Sequence, residues 1–191
     1  MRRKLFTRRV ALLIINIIAL LIVPANFSAR PPALALQPNI GVNGFFSVDK
    51  AQRGRTVQAA LVMDIPEGFH VNSNKPLGKY AIPTVLKIDA PGGIKVGPVT
   101  YPRSALRSFS FSQERLAVYE GRAVMRFNVI IPANYETGVI ELHASVRYQS
   151  CSNDVCFQPV TSKVTMPIAI VGANESVKRI NGQIFGGRRR K

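Results

Sequence analysis

The segment Ile140-Glu141-Leu142-His143-Ala144-Ser145-Val146-Arg147-Tyr148-Gln149 alternates apolar and polar residues without a break. Successive side chains of a β-strand point to opposite faces, so this pattern predicts a strand with one face in the core and the other in solvent. Similar or shorter candidate strands occur at 44–48, 56–65, 84–88, 94–101, 122–131 and 164–170. In the 56–65 candidate, Ala60 and Val62 fall on the face predicted to lie in solvent.

Short segments rich in proline and glycine separate the candidate strands, as in Pro66-Glu67-Gly68, Pro91-Gly92-Gly93 and Glu120-Gly121. No stretch has helical periodicity long enough to predict a helix. About seven or eight short strands with regular turns are typical of a sandwich of two packed sheets. The sequence therefore predicts an all-β protein, with the fold of an antiparallel immunoglobulin-like β-sandwich.

The N-terminus carries the pattern of an export signal. Basic residues at positions 2–9 precede an apolar run from Val10 to Val23, as in a secretory signal peptide. Ala33-Leu34-Ala35 fits the cleavage pattern, with Val23-Pro24-Ala25 as a nearer alternative. An uncleaved membrane anchor is the competing interpretation, although the run of 14 apolar residues is shorter than the roughly 20 that span a bilayer. We therefore predict cleavage, export and a soluble mature protein.

The length of 191 residues suits one ordinary domain with short extensions. We predict a signal peptide at 1–35, a linker at 36–43, the sandwich domain at 44–172 and a basic, flexible tail at 173–191. The formal charge of +16 is concentrated at the two ends, because six basic residues lie in the signal segment and four in Arg188-Arg189-Arg190-Lys191. The tail has no interleaved aromatic residues, so nucleic acid is not expected as a partner.

Several classes of site are missing from the sequence. The two histidines and two cysteines do not supply a metal-binding spacing. No phosphate-binding glycine loop, GxSxG nucleophile turn or pair of catalytic carboxylates is present either. We expect neither a metal nor a cofactor.

The two cysteines are the remaining candidates for chemistry. Cys151 follows one predicted strand and Cys156 precedes the next, so a tight connection could join the two sulfurs. In an exported protein such a pair is expected to form a disulfide. A disulfide in so small a ring stabilises a fold by only roughly 2 kcal/mol. From the spacing alone, a structural staple and an exposed pair for thiol–disulfide exchange are about equally favoured.

The segment from Tyr148 to Pro159 resembles the redox motif of the N-terminal domain of the thiol:disulfide interchange protein DsbD family. That motif has a Tyr-Gln-x-Cys strand, a short acidic loop, a second cysteine and a nearby proline. Four other segments resemble the same domain in the same order, and together they extend the resemblance over roughly residues 40–171. They are Gly68–Asn72, Ile82–Thr84, Val99–Pro102 and Val118–Gly121.

This resemblance implies an immunoglobulin-like periplasmic domain with protein-disulfide reductase-type activity, of the kind that serves cytochrome c biogenesis. It implies that Cys151 and Cys156 are the redox pair, with Cys156 forming the mixed disulfide and Cys151 resolving it. It also implies a cap loop at 108–112, in which Phe109 or Phe111 shields the disulfide.

The family pattern also places His70 and Asn72 beside the redox pair. The implied partners are a membrane-embedded thiol reductase, which donates electrons, and exported thioredoxin-like proteins, which accept them. Full-length family members continue into a membrane domain and a thioredoxin-like domain that this sequence does not contain. The reductase is therefore expected to be a separate chain, and membrane contact is expected only through the signal segment if it stays uncleaved.

Two other functions remain open at this point. One is a secreted immunoglobulin-like binding module whose disulfide is purely structural. The other is a protein that binds polyanions or membrane surfaces through its basic residues. The reduction potential separates the first of these from an exchanging pair, because structural disulfides lie below about −300 mV.

Overall fold

The computed structural model describes residues 37–186. The predicted signal peptide and residues 187–191 of the predicted tail lie outside the described residues. The described part contains twelve strands and one short helix, in the order β1 (Gly41–Phe46), β2 (Lys50–Gln52), β3 (Thr56–Asp64), β4 (His70–Asn72), β5 (Val85–Asp89), β6 (Lys95–Val96), β7 (Ala105–Arg107), β8 (Leu116–Tyr119), β9 (Arg122–Ile130), β10 (Gly138–Tyr148), β11 (Ser150–Cys151), β12 (Val160–Val171) and α1 (Gly182–Phe185). Within residues 37–186, no helix is long and apolar enough to cross a bilayer.

The strands form three sheets of four strands each. Sheet I has the order β1-β3-β9-β6, sheet II the order β2-β12-β10-β5, and sheet III the order β11-β4-β8-β7. All strand pairs are antiparallel except the short pair of β12 with β2, which is parallel. The predicted immunoglobulin-like β-sandwich is confirmed, with this one parallel pair as a local exception.

Sheets I and II enclose one apolar core to which both contribute alternate residues. On β10, Leu142, Ala144 and Val146 are buried while the residues between them are more exposed, as the alternation predicted. Gly44 of β1 lies against Met166 of β12, where a Cβ atom on residue 44 would overlap the methionine side chain. A larger residue at position 44 would therefore require the Met166 side chain to shift.

The outer face of β3 departs from the prediction. Ala60 and Val62 are fully buried instead of facing solvent. They form a second, smaller apolar cluster with Ile184 of α1, and Phe185 packs against it. The alternation rule fails here because a segment distant in sequence covers the second face of the strand.

That covering segment belongs to the predicted flexible tail, and the structure differs from this expectation over 178–185. The Lys178 amide donates to Asp49 Oδ1 (2.9 Å), and Asn181 Nδ2 donates to the Phe46 carbonyl (2.9 Å). Arg126 Nε donates to the carbonyl of Ile184 at 3.2 Å, and the Ile184 residue is buried. An apolar anchor and hydrogen bonds between side chains and backbone therefore hold this part of the tail on the domain.

Candidate functional site

The two cysteines lie at the ends of a tight loop that leaves β11. Cys151 and Cys156 form a disulfide with an Sγ–Sγ distance of 2.01 Å and a Cα–Cα distance of 3.9 Å. Ser152 Oγ accepts hydrogen bonds from the amides of Asp154 and Val155, both at 3.2 Å. The Ser152 amide donates to the carbonyl of Val155 at 2.8 Å. These bonds satisfy much of the polar backbone of the loop locally.

The two sulfur-bearing residues differ in exposure. Cys151 is fully buried, with 0% of its surface exposed. Cys156 is partly exposed and lines an open pocket of about 510 Å³. Because thiol–disulfide exchange requires a thiolate to reach a sulfur atom, Cys156 is the more accessible residue of the two for attack.

Sheet III places both of the other predicted neighbours beside this pair. In the pairing of β4 with β11, His70 lies opposite Cys151 and Val71 lies opposite Ser150. Asn72 follows on the same strand, and its backbone N–H donates to the backbone carbonyl of Gln149 at 3.2 Å. His70 and Asn72 are both buried, at 2% and 1% exposure.

The predicted cap loop, 108–112, connects β7 to β8 and packs on the same histidine. The Phe109 ring stacks on the His70 ring, with centroids 4.0 Å apart and planes 12° apart. Phe111 stacks in turn on Phe109 at 5.3 Å and 9°. Ser110 Oγ donates a hydrogen bond to the carbonyl of Asn153, in the cysteine loop, at 3.1 Å. The structure thus brings the two loops into direct contact and places both phenylalanines in one stack.

An ion pair closes the base of the cap loop. Arg107, at the end of β7, donates to both carboxylate oxygens of Glu120, with Nη2–Oε2 at 2.7 Å and Nε–Oε1 at 3.0 Å. Hydrogen bonding from Arg107 lowers the pKa of Glu120. Both side chains are exposed, so the pair contributes little to stability and acts mainly to orient the loop.

Gln149 is a site residue whose role the sequence did not predict. Its Oε1 accepts hydrogen bonds from Asn72 Nδ2 (3.0 Å) and from the Ile82 amide (3.3 Å). Its Nε2 donates to the Phe157 carbonyl at 3.1 Å. The residue thereby ties three segments together beside the disulfide. Its place in the Tyr-Gln-x-Cys segment was the available signal, but the partners become visible only in the fold.

A sequence profile described as "Thiol:disulfide interchange protein DsbD, N-terminal" matches residues 43–168. The chain belongs to this family. No curated protein sequence matches the chain.

Three solved structures are similar to the family domain of this chain. The reduced N-terminal domain of Neisseria meningitidis DsbD is 18% identical, and the match covers 67% of this chain and 88% of that one with a TM-score of 0.42. The complex between the DsbD and PilB N-terminal domains of the same organism gives 19% identity, 72% and 87% coverage and a TM-score of 0.39. The N-terminal periplasmic domain of Proteus mirabilis ScsB gives 11% identity, 74% and 49% coverage and a TM-score of 0.45. The family assignment rests on the sequence match.

Burial controls the charge of the histidine in this family site. Burial lowers the pKa of His70 from 6.5 to about 4, and the Glu120 carboxylate partly opposes this shift. Within residues 37–186, His70 Nε2 is buried without a hydrogen-bond partner. Both observations favour a neutral ring at neutral pH.

A pH-dependent stability follows from this histidine. The unfolded chain binds the His70 proton near pH 6.5 and the folded chain only near pH 4, so stability is expected to fall as pH decreases through that window. Urea unfolding of the oxidised protein at several pH values measures this slope. His70→Phe should reduce the slope, whereas His143→Phe, which replaces an exposed histidine on β10, should retain it. Equal slopes for the parent and His70→Phe would contradict the expectation.

Proposed function

We propose that this domain carries electrons between proteins by thiol–disulfide exchange at Cys151 and Cys156, and that Cys156 is the sulfur that partners attack. The observation that supports this proposal is the contrast between a fully buried Cys151 and a Cys156 that lines an open pocket. A structural staple has no need of a partly exposed cysteine that lines a pocket. Membership of the DsbD N-terminal family supports the same chemistry.

The first half of the cycle reduces the domain. A thiolate of a donor dithiol attacks Cys156 Sγ, and a donor–Cys156 disulfide forms as the Cys151–Cys156 bond breaks. Cys151 leaves as a thiolate and takes a proton from solvent. The second thiol of the donor then attacks the donor's own sulfur in the mixed disulfide and releases Cys156. The donor is oxidised to a disulfide, and the domain gains two electrons.

The second half passes these electrons on. The Cys156 thiolate attacks the disulfide of an acceptor protein, and one acceptor sulfur leaves as a thiolate. Cys151 then attacks Cys156 Sγ, re-forms the internal disulfide and releases the acceptor as a dithiol. The proposed donor is a membrane-embedded thiol reductase, and the proposed acceptors are exported thioredoxin-like proteins. The proposed location is the periplasm, after removal of residues 1–35.

In this cycle the cap loop limits access to the disulfide. His70 gives Phe109 a flat, neutral surface on which to stack. Ser110 joins the cap to the cysteine loop through the Asn153 carbonyl. A protein that displaces the cap reaches Cys156, and solutes that do not displace it react more slowly. Asn72 and Gln149 hold the backbone on both sides of the pair.

A redox titration tests this function. The protein is equilibrated with glutathione buffers of increasing reducing strength, its free thiols are alkylated, and the reduced fraction is measured by mass. The pair is expected to become half reduced at a potential above about −300 mV, as exchanging disulfides do. A Cys151→Ser variant, whose one thiol is Cys156 and which has no internal disulfide, defines the signal of a single accessible cysteine. A pair that stays oxidised throughout would leave only the structural disulfide.

A further inference from the structure

The buried cysteine needs a path for its proton. In the proposed cycle Cys151 leaves as a thiolate, takes up a proton, and loses that proton again when it attacks Cys156. Cys151 has 0% of its surface exposed, so water does not reach its sulfur directly in the oxidised protein. A thiolate is costly in such a site, because burial disfavours the charged form of a group. A side chain that exchanges the proton with Cys151 removes this cost.

His70 is the titratable side chain that the strand register places beside Cys151. The two residues lie directly opposite each other in the antiparallel pair of β4 with β11. Residues paired in this way project from the same face of the sheet, and their Cβ atoms are roughly 5 Å apart. Ser150 also has a buried hydroxyl without a partner among the described residues. Successive residues of a strand point to opposite faces, however, so the register selects His70 rather than Ser150.

The imidazole ring of His70 is held in a way that keeps its edge available. Phe109 stacks on the ring, with centroids 4.0 Å apart, and stacking covers a face of the ring but not its edge. Nε2 is buried and has no hydrogen-bond partner within residues 37–186. A hydrogen bond at one ring nitrogen normally decides which of the two nitrogens carries the proton. No such bond at Nε2 fixes the tautomer of His70.

The histidine also lines a cleft at the surface. The cleft has a volume of about 420 Å³, and Glu67 and Glu120 are its other titratable residues. Hydrogen bonding from Arg107 lowers the pKa of Glu120, so this carboxylate is ionised at neutral pH and has no proton to give. Burial lowers the pKa of His70 to about 4, so its ring is neutral there. The cleft brings water to this neutral ring, and the register brings Cys151 to it.

We propose that His70 relays protons between the buried Cys151 sulfur and water in the cleft, by exchanging one tautomer of its neutral ring for the other. When the disulfide is reduced, the Nε2–H bond breaks and an S–H bond forms on Cys151, while Nδ1 binds a proton from water. When Cys151 later attacks Cys156, its proton returns to Nε2, and Nδ1 releases a proton to water. The ring is neutral before and after each transfer. The inference rests on the proposed function, because it concerns the step in which Cys151 resolves the mixed disulfide.

The test follows the reaction of the reduced protein with dithiobis-nitrobenzoate, a small aromatic disulfide that releases a coloured thiolate. In a first phase, whose rate depends on the reagent concentration, Cys156 displaces one thiolate and forms a mixed disulfide. In a second phase, whose rate does not, Cys151 attacks Cys156 and displaces the other thiolate. His70→Phe keeps a flat ring on which Phe109 stacks, and is expected to slow the second phase at least about tenfold relative to the first at neutral pH, as the loss of a general base does. His70→Gln, which stays polar but has no basic nitrogen, is expected to do the same.

The pH dependence separates a proton relay from a packing role. Without the relay, hydroxide takes the thiol proton. The second phase of both variants is therefore expected to accelerate about tenfold per pH unit until the thiol ionises, and that of the parent less steeply. The defect then shrinks at alkaline pH. His143→Phe, which replaces the exposed histidine of β10, is the matched control and is expected to keep both rates of the parent.

Three results would overturn the relay while internal closure of the disulfide persisted. They are a parent rate for the second phase in both His70 variants, an equal slowing of the two phases, and a defect of the same size at every pH. An equal defect in His143→Phe would overturn it as well. A parent protein that shows no second phase would reject the proposed function instead.

Discussion

Cys151→Ser is expected to accumulate a mixed disulfide through Cys156 when it meets the disulfide form of a thioredoxin-like protein. The Cys156 thiolate attacks the partner, and no second thiol is present to resolve the product. Cys156→Ser is expected to give at least about tenfold less adduct, because attack by or on a fully buried sulfur is obstructed. Non-reducing electrophoresis and mass spectrometry of the adduct measure both yields.

The same pair of variants separates a carrier from a staple. Removing a disulfide that closes a ring of six residues is expected to cost roughly 2 kcal/mol of unfolding free energy. Both serine variants should therefore remain folded, and their unfolding midpoints should be similar. Equal adduct yields would contradict the assignment of Cys156 as the attacked sulfur. Variants that trap nothing and lose most of their stability would favour the structural disulfide.

Replacing both Phe109 and Phe111 by alanine is expected to speed reduction of the disulfide by a small thiol several-fold. The two rings form one stack on His70, and Phe111 lines the pocket that contains Cys156. Their removal opens the approach to the sulfur, and exchange depends on that access. The pseudo-first-order rate of reduction by glutathione, followed by alkylation and mass analysis, measures the effect.

Single variants and a distant phenylalanine complete this test. Phe109→Ala is expected to have the larger effect of the two, because Phe111 stacks on Phe109 and loses its support. Phe185→Ala removes a ring of the same size from the cluster on sheet I and should leave the reduction rate unchanged. An unchanged rate in the double variant would assign the two rings a role other than shielding. Global unfolding of the variant would instead assign them to the core.

Strands with one solvated face could be predicted from the sequence because their alternation is local. The segments at 56–65, 122–131, 140–149 and 164–170 correspond to β3, β9, β10 and β12. Sheet III was predicted poorly, although it carries the cysteines. All residues of β4 and β8 are buried, so they show no alternation of period two, and β7 and β11 are too short to show one. The same limit applied to strand β3, because α1 covers the face on which Ala60 and Val62 lie.

For the candidate site too, some features could be predicted from the sequence and others could not. The sequence alone predicted a disulfide between the two cysteines and the β-sandwich, because residue types and local periodicity carry that information, and the family resemblance implied a cap loop at 108–112. Only the tertiary structure decided that Cys151 is buried while Cys156 lines a pocket. The same holds for the stacking of Phe109 on His70 and of Phe111 on Phe109, and for the hydrogen bond between Asn72 and Gln149. Each of these depends on the pairing of β11 with β4 and of β4 with β8. Contacts between strands so distant along the chain arise from packing of the whole sheet, and no local sequence pattern specifies them.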